Sequence, residues 1–375
     1  MRILQVSGVL CDRHGGGVGD YVCSLSRRLV AEGHEVEIVT YSTTQSKHAE
    51  DPFVIHRLPL PSAPLLRFLL WGREANELVR ELMGMRKFDL VHAHTTSMGF
   101  PLFYDSPTPL VITCHGTSSD PAHRGGRRLL LKVLERRYYE GARRIVAVSH
   151  GIARELIGRG VPEHKIEVIP NGTDPTRFGR TRMSREVARD SLGIGPGQLA
   201  VLYVGALSKR KGLDVLLDAS ARILGGENKD LFLFLLVGDG PLMPLAQGRA
   251  ASQPAMRVLG FVSEAELAIY YSASDVFVIP SLYEGMPTTL LDAMTFGLPT
   301  IASDIPAHRE SLTQDCGVLV ASGNVDALTD AILWSERSRP LLTRMGAAAL
   351  SRSKVFSWSS IAREISRVYA EVAAR

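Results

Sequence analysis

The sequence predicts an α/β protein with two doubly wound, Rossmann-like domains, and three observations lead to this prediction. Short apolar runs alternate with helical segments from Arg2 to Ile169, and the same alternation starts again at Leu199. Strands that alternate with helices form a parallel sheet with both faces covered. The length of 375 residues is in the usual range for two domains and exceeds that of one ordinary domain. Because such sheets bind ligands beyond the carboxyl ends of their strands, we expect two domains facing a central cleft.

In the first half, hydrophobic patterning predicts strands at residues 2–7, 36–40, 53–58, 90–94, 109–114 and 144–149. Helices are predicted at 18–32, which ends before Gly33, and at 73–86, where Leu78, Leu82 and Met85 share one face. Between residues 166 and 174 the pattern breaks, because Pro, Asn, Gly and Asp follow one another there. We interpret this segment as the domain boundary.

The second half repeats the alternation, with strands predicted at 199–204, 231–237, 257–259, 275–279, 299–302 and 317–320 and a helix at 213–224. Helical sequence also closes the chain from about Trp358. We therefore expect an N-terminal domain over 1–172 and a C-terminal domain over 173–355. A last helix over 356–375 is expected to pack back toward the first domain.

Composition is that of a soluble globular protein, with 45% hydrophobic and 22% charged residues. No apolar run reaches the ~20 residues of a membrane span. The first residues run directly into a strand, so we expect no signal peptide. The four cysteines have neither metal-type nor framework spacing and are expected to be reduced thiols in a cytoplasmic protein.

The charge is unevenly distributed along the chain. Residues 124–144 contain eight Lys or Arg and two Glu, a local charge of +6 within a total of +4. Arg124–Tyr139 has the pattern of an amphipathic helix with a basic face, which could lie on an anionic membrane surface through Arg124–Arg137. A core-packed helix with a solvated basic face remains the alternative. Nucleic acid is not expected as a partner, because stacking aromatics and base-reading motifs are lacking.

The stretch from Ser281 to Met294 has the most informative pattern for chemistry. A strand leads into it, Gly285 permits a tight turn, and Pro287 is suited to the first position of a helix. The helix start would offer free N–H groups to an anion, flanked by the carboxylates of Glu284 and Asp292. A sugar nucleotide fits these groups, and an ordinary strand-to-helix corner with a solvated Asp is the alternative.

Two loops that follow the first strand of each domain could also hold phosphate. Gly15–Gly19 opens the first helix but has neither the dinucleotide spacing nor a P-loop lysine, so it could equally be a flexible loop. In the second domain, Gly205 begins a loop with three cations at Lys209–Lys211. Three cations suit a diphosphate without a metal, and a charged surface turn is the alternative.

His115 ends a strand, precedes a glycine and would face the predicted cleft, where it could bind a substrate hydroxyl; a satisfied loop histidine is the alternative reading. His92 and His94 alternate along the preceding strand and share a face. No carboxylate or cysteine stands at metal-like spacing from them, so we interpret both as structural or cleft-lining.

Together these motifs resemble one family across nearly the whole chain, the retaining, nucleotide-sugar-dependent glycosyltransferases of the GT-B fold, glycosyl transferase group 1. The hallmark of that family, Glu-seven residues-Glu, occurs here as Glu284 and Asp292. Seven further motifs occur in the family's order: the N-terminal glycine loop, His115-Gly116, Val148-Ser149, Asn171–Asp174, Lys211-Gly212, Gly238–Gly240 and Gly260–Val262.

The resemblance implies that the first domain binds the acceptor and the second the donor. It implies that Glu284 contacts the transferred sugar, that Lys211 neutralises the departing diphosphate and that His115 binds the donor sugar near the reaction centre. Asp292 would accept hydrogen bonds from the ribose hydroxyls. The resemblance also implies backbone contacts to the donor at Gly16 or Gly17, Val262, Gly285, Met286 and Thr288. From the loop pattern itself we add Gly205, Lys209 and Arg210 as candidate donor-binding residues.

Two departures from the family pattern concern the donor site. The family commonly has Arg directly after the glycine that corresponds to Gly205, and this chain has Ala206. We predict that Lys209 or Arg210 supplies the missing charge. The second departure is Asp292, which is one methylene shorter than Glu and would let the donor sit slightly deeper.

By resemblance the reaction moves a sugar, hexosyl in type, with retention from a UDP- or GDP-linked donor to a saccharide or lipid-linked hydroxyl acceptor. No cofactor or metal is expected, because the nucleotide sugar is a substrate. We expect a cytoplasmic enzyme, at the inner face of the cell membrane if the basic helix binds lipid. The alternatives are another enzyme of the same fold, such as a sugar-nucleotide epimerase or a phosphorylase, and a non-catalytic sugar-nucleotide-binding protein.

Overall fold

The computed structural model describes residues 1–10, 16–41, 51–59, 67–95, 99–120, 134–135, 137–179, 181–227 and 229–374. The chain divides into two compact units. The first consists of Met1–Gly172 together with Trp358–Arg375, and the second of Thr173–Ser357. Each unit is built on one parallel sheet, of seven strands in the first and six in the second, which confirms the predicted α/β class.

The first unit contains the strands β1 (Arg2–Val6), β2 (Glu35–Tyr41), β3 (Val54–Leu58), β4 (Leu90–His94), β5 (Leu110–Cys114), β6 (Arg144–Ala147) and β7 (Ile166–Val168). Their order in the sheet is β3-β2-β1-β4-β5-β6-β7. The direction of winding reverses between β1 and β4, which pair in parallel. A doubly wound sheet binds ligands at such a reversal, beyond the carboxyl ends of the strands.

The seventh strand differs from the prediction, which treats residues 166–174 as the break between domains. Ile166–Val168 instead pairs in parallel with β6 at the edge of the sheet. All three of its residues are half-buried. A strand of three residues with neither alternating nor continuous burial leaves no periodic signal in the sequence.

The helices of the first unit are α1 (Gly16–Ala31), α2 (Arg67–Met85), α3 (Phe100–Phe103), α4 (His150–Ile157) and, at the end of the chain, α13 (Trp358–Ala373). Helix α2 begins six residues earlier than the periodicity predicts. Helix α13 buries Trp358, Ile361, Ile365 and Tyr369 in the same hydrophobic cluster as residues of α1. The last helix is therefore part of the core of the first unit.

The second unit contains the strands β8 (Leu199–Val204), β9 (Phe232–Val237), β10 (Met256–Gly260), β11 (Val276–Ile279), β12 (Thr300–Ser303) and β13 (Gly317–Val320). Their order is β10-β9-β8-β11-β12-β13, and the reversal lies between β8 and β11. The helices of this unit are α5 (Arg185–Ser191), α6 (Leu213–Leu224), α7 (Met243–Ala251), α8 (Glu264–Ala273), α9 (Thr288–Thr295), α10 (Pro306–Ser311), α11 (Val325–Arg337) and α12 (Arg339–Ser353).

Three further predictions concern the cysteines, the membrane and the basic helix. Cys114 and Cys316 are free and buried, whereas Cys23 is disulfide-bonded, which contradicts the prediction of a reduced thiol there; Cys11 lies outside the described residues. Among the helices that the structure describes, none is long and apolar enough to cross a membrane. Most of the helix predicted over Arg124–Tyr139, namely residues 124–133 and 136, lies outside the described residues, and residues 134–135 and 137–140 are helical.

Candidate active site

Two loops meet at the reversal point of the second sheet. One, Gly205–Lys211, follows β8, and the other, 280–287, follows β11. The backbone N–H of Leu282 donates to the carbonyl of Arg210 at 2.9 Å, so the loops are hydrogen-bonded to each other. At Gly212 (φ +67°) a Cβ would lie 1.9 Å from the carbonyl oxygen of Pro280. Only glycine allows this approach, which brings the two loops into contact.

Lys211 and Glu284 form a largely buried ion pair between these loops. The Nζ atom of Lys211 lies 2.6 Å from Oε1 of Glu284. The hydroxyl of Ser281 donates to the same oxygen at 2.7 Å. The side chains of Glu284 and Lys211 are 6% and 18% exposed. The two residues that the resemblance assigns to the sugar and the diphosphate are therefore adjacent.

Arg210 adds a second positive charge at the same carboxylate, since its guanidinium lies 3.8 Å from Oε2 of Glu284. It also donates to the carbonyl of Tyr283 at 3.3 Å. Lys209, by contrast, is exposed on the first turn of the loop, and Ala206 is exposed as well. Of the two cations predicted to compensate for Ala206, Arg210 is the one beside Glu284.

These charges decide the ionisation of Glu284. Burial is the largest single influence on its pKa and raises it, but the charges of Lys211 and Arg210 act in the opposite direction. Hydrogen bonds from Lys211 and Ser281 lower it further, and the pKa of Glu284 falls below its ordinary value. Glu284 is thus a buried, ionised carboxylate at neutral pH, held between two cations.

The amino end of helix α9 follows directly after Glu284. Gly285 and Met286 are buried and Thr288 is half-buried. Pro287 is extended (φ −78°, ψ 110°), so the helix begins at Thr288, one residue later than predicted, with Pro287 as the N-cap. The N-cap residue makes no side-chain capping bond within the part of the chain that the structure describes. The first N–H groups of the helix are therefore available to an anionic or hydroxyl ligand.

Asp292 lies in the interior of α9 and is 6% exposed. Its Oδ1 accepts a hydrogen bond from the hydroxyl of Thr173 at 2.8 Å, and its Oδ2 lies 3.7 Å from the guanidinium of Arg177. These contacts fix the position of the carboxylate within the helix. The short side chain is held by residues at the start of the second unit, which the sequence pattern does not reveal.

The loops after β9 and β10 complete this edge of the second sheet. At Gly238 (φ +132°) a Cβ would lie 2.0 Å from the carbonyl oxygen of Gly205, so this loop packs directly on the phosphate-loop candidate. Phe261 is 58% exposed and Val262 half-buried. Gly205, Val262 and Glu284 therefore belong to loops at the carboxyl ends of strands in one sheet.

Ser281, which donates to Glu284, is itself held by two polar residues that the sequence does not predict, Ser303 and His308. The hydroxyl of Ser303 donates to the carbonyl of Ser281, and Nδ1 of His308 lies 2.8 Å from the carbonyl of Ser303. His308 is fully buried, and its Nε2 has no hydrogen-bond partner among the described residues. Nothing in the spacing of these residues predicts that they come together.

In the first unit, His115 follows β5 and Gly16 opens helix α1. The N–H of His115 donates to the hydroxyl of Thr95 at 3.1 Å, and its ring meets that of His94 edge to edge, with Nε2 of His115 3.3 Å from Nδ1 of His94 and 26° between the ring planes. Gly16 (φ +52°) and Gly17 are exposed at the first turn of α1. Both groups lie at the carboxyl edge of the first sheet, as predicted from their positions after strands; Gly15 lies outside the described residues.

Three histidines of the first unit form one cluster, in which His92 and His94 are fully buried and His115 is half-buried. The ring of His94 lies 4.4 Å from that of His92 and 5.5 Å from that of His115, measured between centroids. His92 makes hydrogen-bond contacts to Tyr369 Oη at 2.5 Å and to Thr113 Oγ1 at 2.7 Å. Burial lowers the pKa of His115 to about 3 and, together with the charge of His115, that of His92 to about 3. The cluster is therefore neutral at physiological pH.

Within the part of the chain that the structure describes, no three His, Cys, Asp or Glu residues come together as a metal site. The histidine contacts are to hydroxyls, an amide and each other, which fits their interpretation as structural or site-lining residues.

Two family models match the chain. The model of Glycosyltransferase Family 4 matches residues 15–177, and that of Glycosyl transferases group 1 matches residues 198–335. The second match contains both loops of the Lys211–Glu284 pair.

Curated relatives match over almost the full length. An uncharacterized glycosyltransferase of Methanocaldococcus jannaschii is 26% identical over 387 residues, which cover 98% of this chain and 98% of that protein. The phosphatidyl-myo-inositol mannosyltransferase of Mycobacterium leprae is 28% identical over 376 residues, covering 96% of this chain and 94% of that protein.

Solved structures share the fold. Sucrose-phosphate synthase from Thermosynechococcus elongatus superposes with a TM-score of 0.82 at 24% identity, covering 100% of this chain and 99% of that one. The Anabaena protein HepE, in complex with UDP and glucose, gives a TM-score of 0.79 at 18% identity, covering 99% and 100%. Both family models match in chain order, and the two parallel sheets have the matching architecture, so the chain belongs to the group 1 glycosyltransferases of the GT-B fold.

Proposed function

We propose that this glycosyltransferase moves a hexosyl group, with retention, from a nucleoside-diphosphate sugar to a hydroxyl acceptor. The observation that carries the proposal is the buried pair of Lys211 and Glu284 at the reversal point of the second sheet. In this proposal the two cations, Lys211 and Arg210, neutralise the diphosphate of the donor. The ionised carboxylate of Glu284 contacts the sugar. These are the charges that an oxocarbenium-like transition state with a departing diphosphate requires.

Each candidate residue has a chemical task in this proposal. Lys211 and Arg210 stabilise the charge that develops on the diphosphate, helped by the exposed Lys209 and by the backbone of Gly205. Glu284 and the N–H groups around Gly285, Met286 and Thr288 hold the sugar. Asp292 accepts the ribose hydroxyls, and the backbone at Val262 contacts the base. In the first unit, which we assign to the acceptor, Gly16 and Gly17 allow close backbone approach and His115 binds a sugar hydroxyl.

Retention is assigned to a reaction on one face of the sugar. Glu284 Oε1 already accepts hydrogen bonds from Lys211 and Ser281, which makes it a poor nucleophile. In the proposed step the bond from C1 to the phosphate oxygen breaks and its electron pair leaves with the diphosphate. The acceptor oxygen bonds to C1 on the same face, and its proton passes to the departing phosphate.

The names of similar proteins support a proposal about the class of donor and the class of acceptor. HepE is described in complex with UDP and glucose, and the Mycobacterium leprae relative is named for a phosphatidyl-myo-inositol acceptor. We propose a UDP- or GDP-linked donor and a saccharide or lipid-linked acceptor. With the basic segment 124–137, this acceptor class favours a cytoplasmic enzyme that works at an anionic membrane surface.

A thermal-shift screen of nucleoside diphosphates and their sugars tests the donor. A ligand at about 100 times its Kd stabilises by about 2.7 kcal/mol, so the correct nucleotide raises Tm measurably. We expect Arg210→Met to abolish the shift and the matched variant Lys209→Met to keep most of it. Turnover of the donor, with the anomeric configuration of the product followed by proton NMR, then tests transfer and retention. Binding of diphosphates without any turnover would identify a non-catalytic binding protein instead.

Vesicle co-sedimentation tests the membrane assignment separately. We expect binding to vesicles that contain phosphatidylglycerol and not to pure phosphatidylcholine, since each basic residue near an anionic surface contributes about 1 kcal/mol. Exchanging Arg127 and Arg128 for Glu should release the protein. Equal sedimentation of both forms would refute a role for this segment.

A further inference from the structure

His115 is connected to the interior of the first unit by a chain of three side chains, those of His94, Gln5 and Ser26. Its Nε2 lies 3.3 Å from Nδ1 of His94, and Nε2 of His94 lies 3.0 Å from Oε1 of Gln5. The side-chain amide of Gln5 donates to Oγ of Ser26 at 2.9 Å. Ser26, Gln5 and His94 are all fully buried. Such a chain fixes the position of every proton along it if one end is fixed.

The fixed end is a backbone carbonyl. The single hydroxyl proton of Ser26 is donated to the carbonyl of Val22 at 2.7 Å. Ser26 can therefore only accept from Gln5, so Gln5 must turn its NH₂ group toward Ser26 and its oxygen toward His94. The carbonyl at the start of the chain thus sets the orientation of an amide that would otherwise be ambiguous.

The orientation of Gln5 in turn determines which nitrogen is protonated in each of the two imidazole rings, those of His94 and His115. Because Gln5 offers an oxygen, Nε2 of His94 must carry the proton, and Nδ1 of His94 must be an acceptor in the neutral ring. Burial is the main cause that holds the pKa of His94 well below its ordinary value, so the ring stays neutral. His115 must then donate its Nε2–H to His94, which leaves Nδ1 of His115 as a bare acceptor.

We propose that Gln5 and His94 are positioning residues that hold His115 in the Nε2–H tautomer, so that its Nδ1 can only accept a hydrogen bond. In this state His115 binds a ligand group that carries a proton, such as a sugar hydroxyl. It offers no N–H to a phosphate oxygen and no acidic proton to a leaving group. The assignment of the hydroxyl to a bound sugar rests on the proposed function, whereas the tautomer does not.

The tautomer can be read directly by ¹⁵N NMR of the full-length protein labelled at histidine, with His115→Ala identifying the resonances. In the ligand-free wild type at neutral pH we expect a protonated Nε2 and an unprotonated Nδ1 on His115. In Gln5→Met, which is close to isosteric but cannot accept from His94, we expect both tautomers of His115. A protonated Nδ1 in the wild type, or an unchanged tautomer in Gln5→Met, would overturn the proposal.

A matched control separates this effect from a general loss of packing. Thr113→Val removes a hydrogen-bond partner of His92 in the same sheet and lies outside the chain. It should leave the tautomer of His115 unchanged. If Gln5→Met fails to fold, Ser26→Ala, which removes the group that orients the amide, should give the same mixture of tautomers.

Kinetics of donor hydrolysis with UDP-glucose and GDP-mannose connect the tautomer to the sugar. For the donor that is turned over, we expect kcat/KM to fall about tenfold in Gln5→Met and less than twofold in Thr113→Val. In the His115→Ala background Gln5→Met should have no further effect, since the two residues act through one group. Full activity of His115→Ala would refute the proposed contact with the sugar and would leave the NMR result to decide the tautomer.

Discussion

The Nζ atom of Lys211 lies 2.6 Å from Oε1 of Glu284, and the two residues are 73 positions apart in the sequence. The contact joins the loops that follow the two central strands of the second sheet, where the strand order reverses. In this arrangement Lys211 shields a buried carboxylate, and a diphosphate would compete with that carboxylate for the same cation. If the proposed donor binds here, its diphosphate would draw Lys211 away from Glu284 and so expose the charge of Glu284 to the sugar.

Replacing Glu284 by Gln should lower turnover of the donor about a hundredfold or more, with little change of fold. Gln has nearly the same size and can still accept from Ser281, but the charge that stabilises a developing oxocarbenium ion is lost. The rate is measured with the donor that the thermal-shift screen identifies, and circular dichroism monitors the fold. Asp218→Asn, at an exposed ion pair with Arg249, is the control. A Glu284→Gln enzyme with a near-wild-type rate would contradict the assignment.

Replacing Lys211 by Met should destabilise the second unit in a pH-dependent way. In the wild type the pKa of Glu284 is lowered, so its ionisation contributes stability above the unfolded-state pKa that is lost as the pH falls. Without Lys211, burial is opposed only by Arg210 and Ser281, and the pKa of Glu284 rises. The stability difference between wild type and Lys211→Met should therefore be largest near pH 8 and shrink toward pH 4.5.

Urea unfolding at several pH values, followed by the fluorescence of Trp334 in the second unit, measures this difference. Lys229→Met, at an exposed position of the same unit, should show no pH-dependent difference from the wild type. A constant difference for Lys211→Met across the pH range would mean that the pair does not govern the ionisation of Glu284.

Lengthening Asp292 to Glu should lower stability without strengthening nucleotide binding. Asp292 is 6% exposed and its Oδ1 is held by Thr173, so an added methylene must be accommodated in a packed site. Overpacking of this kind costs about 1–3 kcal/mol. Asp292→Asn keeps the size and the bond to Thr173, but should bind the nucleoside diphosphate about tenfold more weakly, because an amide has fewer acceptor positions for ribose hydroxyls.

Thermal denaturation and calorimetric titration with the diphosphate separate these two effects. Tighter binding by Asp292→Glu would show that the short side chain of the wild type limits its reach to the ribose. Unchanged binding by Asp292→Asn would remove Asp292 from the donor site.

The contacts around Asp292 and Glu284 also show which features the sequence can predict. Strands such as Leu199–Val204 and Gly317–Val320 are predicted with their observed bounds, because continuous apolar runs between turn residues have few alternatives. The site residues are found through local motifs in the loops after strands. The pairing of Lys211 with Glu284, or of Thr173 with Asp292 over 119 positions, follows from tertiary packing and leaves no local signal.

The same limit explains what was missed in the first unit. The alternation of His92 and His94 predicts a shared face, but their partners Gln5 and Tyr369 come from opposite ends of the chain. The edge strand β7 has three half-buried residues and no periodicity. Contacts between residues that are far apart in the sequence can be predicted only when the order of the strands in the sheet is known.

Replacing Arg189 by Met should destabilise the second unit by about 3 kcal/mol, since it removes one of the two arginines at the buried carboxylate of Asp275 and leaves only Arg185, which contacts the other carboxylate oxygen. Arg189 is 7% exposed, lies 2.9 Å from Oδ2 of Asp275 and also donates to the carbonyls of Gly195 and Gln198. Urea unfolding should show the loss, whereas Arg222→Met, at an exposed pair with Asp326, should cost less than about 1 kcal/mol. Equal effects of the two substitutions would show that the Asp275 pair contributes no more than a surface contact.

The buried histidines should make the first unit sensitive to mild acid. Burial, with the charge of His115, lowers the pKa of His92 to about 3, whereas the pKa of an unfolded histidine is about 6.5. Well above pH 6.5 neither state is protonated at this histidine, and the free energy of unfolding has its full value. As the pH falls through 6.5, the histidine of the unfolded chain gains a proton that the folded protein does not bind, so the free energy of unfolding decreases. At pH 5.5, one unit below the unfolded pKa, the loss is about 1.4 kcal/mol for each such histidine.

The window between pH 6.5 and 5.5 isolates this effect, since carboxylates of ordinary or lowered pKa are ionised throughout it. Hydrogen exchange of amides in β4 and β5, measured across the window, should show protection that declines with pH in the wild type. His92→Gln should be less stable at pH 7.5 but should lose about 1.4 kcal/mol less on acidification from pH 7.5 to 5.5, of which about 1 kcal/mol falls within the window. His164→Gln, at an exposed position, should retain the wild-type slope. An unchanged slope in His92→Gln would show that His92 is protonated in the folded protein, against the lowering of its pKa by burial.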